Sequence, residues 1–187
     1  MDSSKFVEDY AILMLGVKKS PVPSILHLQK ELFILSKLNP KVQEHFDFIA
    51  YYKGPFSPIL NSVIEDSVYV KDAFDIKNNK ILLGEGGCKE FKRIIEKNKD
   101  NPRLQDSLLQ MSLIRDLYEK LTEKELLLLI YDTYKEFPEK SLVSDEILNN
   151  KEVTNLLINS LLSKSIITLE RYNELKERYS NERRINC

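Results

Sequence analysis

The sequence predicts a mainly α-helical protein, a winged helix-turn-helix module with a small β-hairpin wing followed by a C-terminal helical bundle. Three features predict it: two amphipathic segments at the start, an Asn-Asn turn between two apolar runs, and helical periodicity throughout the second half. Three helices, a hairpin and a closing helix follow the order of a winged helix-turn-helix. We expect the winged module over residues 1–100, and a helical subdomain for dimerisation or partner docking over residues 101–187.

The first two helices are predicted from apolar residues that recur every three or four positions. The first helix is expected over about residues 6–17, and the proline-rich stretch 20–23 forms a stiff turn after it. Ser24 is a suitable N-cap for a second helix over about residues 25–38, which Asn39-Pro40 ends.

An aromatic segment and a tight turn precede the third helix. Residues 46–52 alternate in apolar character, so they could form a short strand or an extended lead-in. Gly54-Pro55 breaks regular structure, and Ser57 followed by Pro58 is a typical helix start because proline has no N–H to leave unpaired there. We expect this helix to end near Tyr69.

The predicted wing is a β-hairpin. Two short apolar runs flank Asn78-Asn79, and asparagine tolerates the positive φ that a tight hairpin needs. A closing helix is expected over about residues 88–97, and further helices fill the chain from about residue 104 to about residue 179. One of them begins at the capping box Thr122–Glu125 and contains the dense apolar run 126–131, which predicts a central position.

Some of these residues carry a resemblance to a known family. Residues 28–33 read Leu-Gln-Lys-Glu-Leu-Phe, residues 46–48 read Phe-Asp-Phe, and residues 52–57 read Tyr-Lys-Gly-Pro-Phe-Ser. Over about residues 10–95 the chain resembles the YwgA-type uncharacterised proteins of prokaryotes and, more distantly, the SocA-like antitoxin (Panacea) domain. The resemblance implies a small cytoplasmic module for regulation, toxin neutralisation or phage defence, without catalytic residues. Residues 82–87 depart from the usual Leu-Thr-x-x-Gly pattern.

Charge bears on whether the module binds DNA. The net charge is −1 for the whole chain, +1 over residues 1–100 and −2 over the remainder, so the chain is not a strongly basic DNA-binding domain. The third helix carries Glu65 and Asp66 and no lysine or arginine. A local basic face could still form from Lys18, Lys19, Lys30, Lys53 and the wing lysines, although such lysines are equally typical of an ordinary solvated face. The candidate nucleic-acid contacts are Lys30, Lys53, Asn61, Ser62, Lys77, Asn78 and Lys80.

The aromatic segment offers a different kind of surface. Tyr52 and Phe56 are the candidate partner-binding residues, since large aromatic side chains dominate many protein interfaces. Alternating aromatic residues are more often part of a core. We therefore expect Phe46, Phe48 and one of the two adjacent tyrosines to be buried.

Catalytic and metal sites are not predicted. The two histidines, His27 and His45, have no neighbouring ligand cluster, and Cys88 has no histidine near it in sequence, so it is expected to be a half-buried structural thiol. No phosphate-binding loop, nucleophile elbow or zinc-protease motif is present in the sequence. We expect no enzyme activity, catalytic residue, metal or cofactor.

The polar N-terminus, short apolar runs and two distant cysteines favour a cytoplasmic protein without a membrane segment.

Two functional hypotheses follow. The first is a winged-helix regulatory protein that binds double-stranded DNA, as a transcriptional regulator or as an antitoxin-like component of a prokaryotic defence system. The alternative is a protein–protein interaction adaptor or antitoxin that binds a cognate partner or toxin and no nucleic acid. A homodimer is compatible with both, because residues 104–121 and 126–131 hold more apolar surface than one small unit easily buries.

Overall fold

The computed structural model describes residues 2–180, so the end of the predicted C-terminal subdomain, including Cys187, lies outside the described residues. Over residues 2–180 the chain is mainly helical, with ten α-helices and two two-stranded sheets. It divides into two units, the first of Met1–Ile49 with Pro55–Glu119 and the second of Ala50–Gly54 with Lys120–Cys187. The division falls after Glu119 rather than after residue 100, because the helix that precedes it packs against the first two helices.

Six helices and the hairpin around Asn78-Asn79 belong to the first unit. Its core is formed by apolar side chains of α1, α2 and α6, with α4 and α5 packed against α1. The second helix has the predicted bounds, whereas the first begins three residues earlier than expected. The helices are α1 (Ser3–Gly16), α2 (Ile25–Leu38), α3 (Pro40–Phe46), α4 (Pro58–Glu65), α5 (Glu85–Lys97) and α6 (Pro102–Tyr118).

Helix α3 was not predicted, since Asn39-Pro40 was interpreted only as the end of α2. The Asn39 side chain accepts a hydrogen bond from the backbone N–H of Lys41 at 3.1 Å, and Pro40 occupies the first helical turn. The same two residues therefore end one helix and begin the next. Strands β1 (Ile49–Tyr51) and β2 (Gly54–Phe56) follow. A short strand or an extended lead-in was expected over residues 46–52, but only residues 49–51 of that segment form a strand.

Helix α4 ends at Glu65, four residues before the predicted end. The buried carboxylate of Glu8 accepts hydrogen bonds from the backbone N–H groups of Val68 and Tyr69, at 3.0 and 3.1 Å. Those amides are consequently not available to continue the helix. A carboxylate of α1 thus fixes the path of the chain after α4.

The segment predicted to be the wing forms a β-hairpin. Strands β3 (Phe74–Lys77) and β4 (Lys80–Leu83) pair antiparallel, and the two turn residues, Asn78 and Asn79, both have positive φ, 51° and 66°. Between α1 and α2, Val22 forms an isolated antiparallel bridge to Ile81 of β4, with hydrogen bonds of 2.9 and 3.0 Å.

Helix α5 begins at Glu85, before its predicted start at Cys88, and the glycines of this segment explain its geometry. The backbone N–H of Gly86 donates to the carbonyl of Asp72 at 3.1 Å. A Cβ atom on Gly86 would lie 1.9 Å from the carbonyl oxygen of Lys71, which no side chain could accept. Residues 82–87, which depart from the Leu-Thr-x-x-Gly pattern, therefore need glycine where the start of α5 lies against the backbone of residues 71–73.

The second unit is built around α7 (Glu123–Thr133). The predicted capping box is present, with the Thr122 and Glu125 side chains each bonded to the other's backbone N–H. The apolar run that follows it is buried, apart from the half-buried Leu129, as its density predicts. The remaining helices are a 3₁₀ turn (Pro138–Lys140), α8 (Ser144–Leu148), α9 (Lys151–Ser163) and α10 (Leu169–Ser180).

Between residues 2 and 180, none of the helices combines the length and the apolar character that crossing a membrane requires.

Candidate partner-binding surface

Two of the three sequence segments that carry the resemblance, residues 28–33 and 52–57, are bonded to each other through Gln29 and Ser57 of the first unit. The Gln29 amide pairs with the backbone of Ser57 in both directions, accepting from its N–H at 2.9 Å and donating to its carbonyl at 3.1 Å. Ser57 in turn caps α4 through its hydroxyl, which accepts from the N–H of Leu60 at 3.2 Å. Both motifs therefore hold the start of α4 against α2.

Replacing Gln29 with leucine is expected to lower the free energy of unfolding by about 2 kcal/mol, because it leaves the buried backbone N–H of Ser57 without a partner and removes one hydrogen bond to its carbonyl, which also accepts from the N–H of Asn61. Urea unfolding followed by circular dichroism measures the change. Gln43→Leu, at an exposed position on α3, is the matched control and is expected to change little. Equal unfolding midpoints for the two variants would contradict this role of Gln29.

The expectation that Lys30 contacts nucleic acid needs correction. Its side chain is buried, and its ammonium group donates to the carbonyl of Pro55 at 2.7 Å. A cation in this position cannot reach a phosphate group on the surface. Lys30 belongs with Gln29 to the contacts that hold the turn before α4.

The other predicted nucleic-acid contacts of the first unit are at least partly accessible, but carboxylates accompany them. Ser62 is exposed, whereas the half-buried Asn61 amide donates to Glu65 at 2.8 Å. In the β3–β4 hairpin, Asn78 and Lys80 are exposed. Lys77, also exposed, forms an ion pair with Asp75 at 2.5 Å.

The segment from α4 to the end of the wing is not basic. Residues 58–83 contain three lysines and four carboxylates, a net charge of −1. Because neutralisation of phosphates supplies most of the affinity for DNA, this segment lacks the main source of such affinity.

Lys53, the remaining predicted contact, belongs to the second unit. Its ammonium group forms an ion pair with Glu123 at the start of α7, at 3.1 Å. Both side chains are substantially exposed, so water screens the pair and it contributes little to stability.

The second unit carries an exposed aromatic and aliphatic surface, which we call the Tyr51–Tyr52–Leu142 surface after its three residues. The two tyrosine rings lie 4.3 Å apart between centroids, and the residues are 41% and 54% exposed. The backbone N–H of Leu142 donates to the Tyr52 carbonyl at 3.0 Å, and Leu142 is 77% exposed. Contrary to expectation, neither tyrosine is buried, although Phe46 is.

Hydrogen bonds behind this surface hold it in place. The Ser141 hydroxyl donates to the Tyr52 carbonyl at 3.2 Å and lies 2.6 Å from the hydroxyl of Tyr131 in α7. Burial raises the pKa of Tyr131, an effect that the bond to Ser141 partly offsets, and its hydroxyl therefore remains protonated at neutral pH. The exposed side chains are thus attached to a fixed backbone, which lowers the entropic cost of binding.

Of the two predicted partner-binding residues, only Tyr52 belongs to this surface. Phe56 is half-buried and is assigned to the first unit. Leu142 was missed, because in sequence it is a single leucine in a serine-containing loop. The only signal is its position between the helix-breaking Pro138 and the start of α8.

The two histidines and Cys88 lie outside the Tyr51–Tyr52–Leu142 surface. His27 is buried and bonded to the Ser24 hydroxyl at 2.9 Å, whereas His45 stacks on Phe6 at 4.1 Å between ring centroids. Cys88 is exposed rather than half-buried. Across residues 2–180, three or more metal-binding side chains are nowhere grouped as a metal ion would require.

No protein-family model and no curated protein matches the chain.

Proposed function

We propose that this chain is an antitoxin-like regulatory protein that acts by binding a protein partner, and that the Tyr51–Tyr52–Leu142 surface makes the contact. The exposure of these three side chains, at 41%, 54% and 77%, is the observation that carries the proposal. Grouped and exposed large apolar residues are typical of interaction sites, and tyrosine is among the residues that contribute most to interface affinity.

The proposal includes a winged-helix arrangement for the first unit. The bridge of Val22 to Ile81 supports it, because in that arrangement the chain between the first two helices pairs with the wing. The position of α4 directly before the β3–β4 hairpin also supports it. The sequence resemblance to antitoxin-like proteins agrees with a regulatory role, but it does not distinguish a protein partner from DNA.

DNA binding is the second candidate function, and one observation favours it. The wing tip exposes Lys77, Asn78 and Lys80, the residue types that contact phosphates and bases. Glu65 and Asp66 are exposed at the end of α4, where a DNA-reading helix usually has cations. They repel phosphates, and this is why we place DNA second.

Fluorescence anisotropy with a random duplex at about 50 mM salt, where phosphate contacts are strongest, separates the two candidates. We expect no saturable binding by the unaltered chain. Saturable binding that the double variant Lys77→Ala/Lys80→Ala abolishes would replace our proposal with a DNA-binding function.

Site-specific photo-crosslinking tests the protein contact directly. A benzophenone amino acid is placed at position 52, and at wing position 78 as the control, in cells that make the protein. We expect one discrete covalent protein adduct at position 52 and none at position 78. An additional Leu142→Ser substitution is expected to weaken the adduct at position 52, because it removes the neighbouring apolar contact.

A further inference from the structure

Helix α6 presents leucines on its solvent side as well as toward the core. Leu109, Leu113 and Leu117 are 60%, 54% and 44% exposed. Residues four apart lie along one side of a helix, so the three form a continuous row, which we call the α6 leucine row. The opposite side of the helix supplies Met111 and Ile114 to the core of the first unit.

We propose that the α6 leucine row binds the α6 leucine row of a second copy of this chain, with the two helices antiparallel. The row is self-complementary, because Leu109 and Leu117 lie four residues on either side of Leu113. A two-fold axis through Leu113 brings that residue against itself and brings Leu109 against Leu117 of the second copy. A contact with an unrelated protein requires no such symmetry.

The area that the row offers agrees with a reversible dimer. Helix α6 has 17 residues, and at 1.5 Å per residue it is about 25 Å long. Two such helices packed along their length bury on the order of 1,000 Å² in total, the lower limit of specific interfaces. We therefore expect a dimer that dissociates in the micromolar range.

Residues 181–187, which follow the last described helix, cannot cover the α6 leucine row. Residues 181–187 read Asn-Glu-Arg-Arg-Ile-Asn-Cys and contain one aliphatic side chain, Ile185. One isoleucine cannot cover three leucines spaced over two helical turns. The proposal is also independent of the partner-binding function, because all its residues belong to the first unit.

Sedimentation velocity at protein concentrations from about 5 to 200 μM tests the dimer. The unaltered chain is expected to shift from monomer to dimer over this range. Leu113→Glu places two carboxylates against each other on the axis, and is expected to raise the dissociation constant at least tenfold. Leu156→Glu, at a leucine of α9 that is 68% exposed, is the matched control and leaves the dimer intact. A monomer throughout the range for the unaltered chain would overturn the proposal.

Single cysteines test the antiparallel arrangement without altering the charge of the row. In a background that carries Cys88→Ser and Cys187→Ser, Leu113→Cys is expected to form a disulfide-linked dimer when a mild oxidant is added. Leu109→Cys is not expected to form this disulfide, because in the antiparallel arrangement the two copies of residue 109 are separated by about eight helical positions, roughly 12 Å. Equal crosslinking at both positions, or none at Leu113→Cys, would overturn the arrangement.

Discussion

Replacing Asp132 with asparagine is expected to lower the free energy of unfolding by about 2–4 kcal/mol and to release α10 from α7. Loss of one partner from a buried ion pair leaves the opposite charge uncompensated, and such losses are usually about 3–5 kcal/mol. The loss expected for Asp132→Asn is smaller, because Arg171 and Arg178 are 34% and 45% exposed and water solvates them in part.

The contacts of Asp132 explain the expected effect. Its carboxylate, 1% exposed, accepts hydrogen bonds from Arg171 and Arg178, and from the Tyr179 hydroxyl at 2.9 Å, all three on α10. Burial by itself raises the pKa of Asp132, but the bonds from Arg178 and Tyr179 and the nearby positive charges hold that pKa below its ordinary value. The charged carboxylate is thus the point at which α10 is attached to α7.

Amide hydrogen exchange in α10 and urea unfolding both measure this effect. Glu174→Gln is the matched control, because Glu174 pairs with Arg171 at 2.7 Å but is half exposed, and it is expected to cost less than about 0.5 kcal/mol. Because the pKa of Asp132 is lower in the folded chain than in the unfolded chain, its charged form stabilises the fold at any pH above the unfolded pKa, which is near 4. That stabilisation is lost as the pH falls through the pKa of the folded chain. The difference between Asp132→Asn and the unaltered chain is therefore expected to shrink toward pH 3. Unchanged exchange in α10 at pH 7 would contradict the assignment.

Replacing Glu31 with glutamine is expected to have the opposite effect and stabilise the protein, by about 3 kcal/mol at pH 7. Glu31 is fully buried on α2, and neither carboxylate oxygen has a hydrogen-bond partner. The guanidinium of Arg115 lies 3.8 Å away, but it is bonded instead to Glu119 and to the carbonyls of Met14 and Ser20. Burial raises the pKa of Glu31 to about 8, and the charge of Arg115 offsets this only in part.

The stability that Glu31→Gln adds depends on pH, because only glutamate can ionise. The folded chain retains a proton on Glu31 that the unfolded chain releases near its ordinary pKa of 4.5. Stability is therefore lost as the pH rises from about 4.5 to about 8, by about 1.4 kcal/mol for each pH unit. Glutamine cannot ionise, so the advantage of Glu31→Gln is expected to be near zero at pH 4 and largest at pH 8. Thermal unfolding at pH 5, 7 and 8 measures it, and an advantage that does not change with pH would contradict a neutral Glu31.

Features set by neighbouring residues in the chain could be predicted from the sequence. Helix α2 begins at the Ser24 cap, and the hairpin turn at Asn78-Asn79 has the positive φ values that these residues tolerate. The capping box before α7 is likewise local. Each of these signals lies within a few residues of the element it specifies, so no knowledge of the fold is needed.

Features set by distant contacts could not be predicted. Lys30 looks like any surface lysine in the sequence, but its partner is the carbonyl of Pro55, 25 residues away. Helix α4 ends early because its following amides bond to Glu8, about 60 residues before them. Tyr52 is exposed next to Leu142 through a backbone bond between residues 90 positions apart. Local propensity contains none of this information.

The most direct test of the proposed function is photo-crosslinking from position 52, compared with position 78, in cells that make the protein. Our account predicts a single protein adduct from position 52 that Leu142→Ser weakens, and no adduct from position 78. An adduct from position 78 alone, or a nucleic-acid adduct in place of a protein, would contradict it.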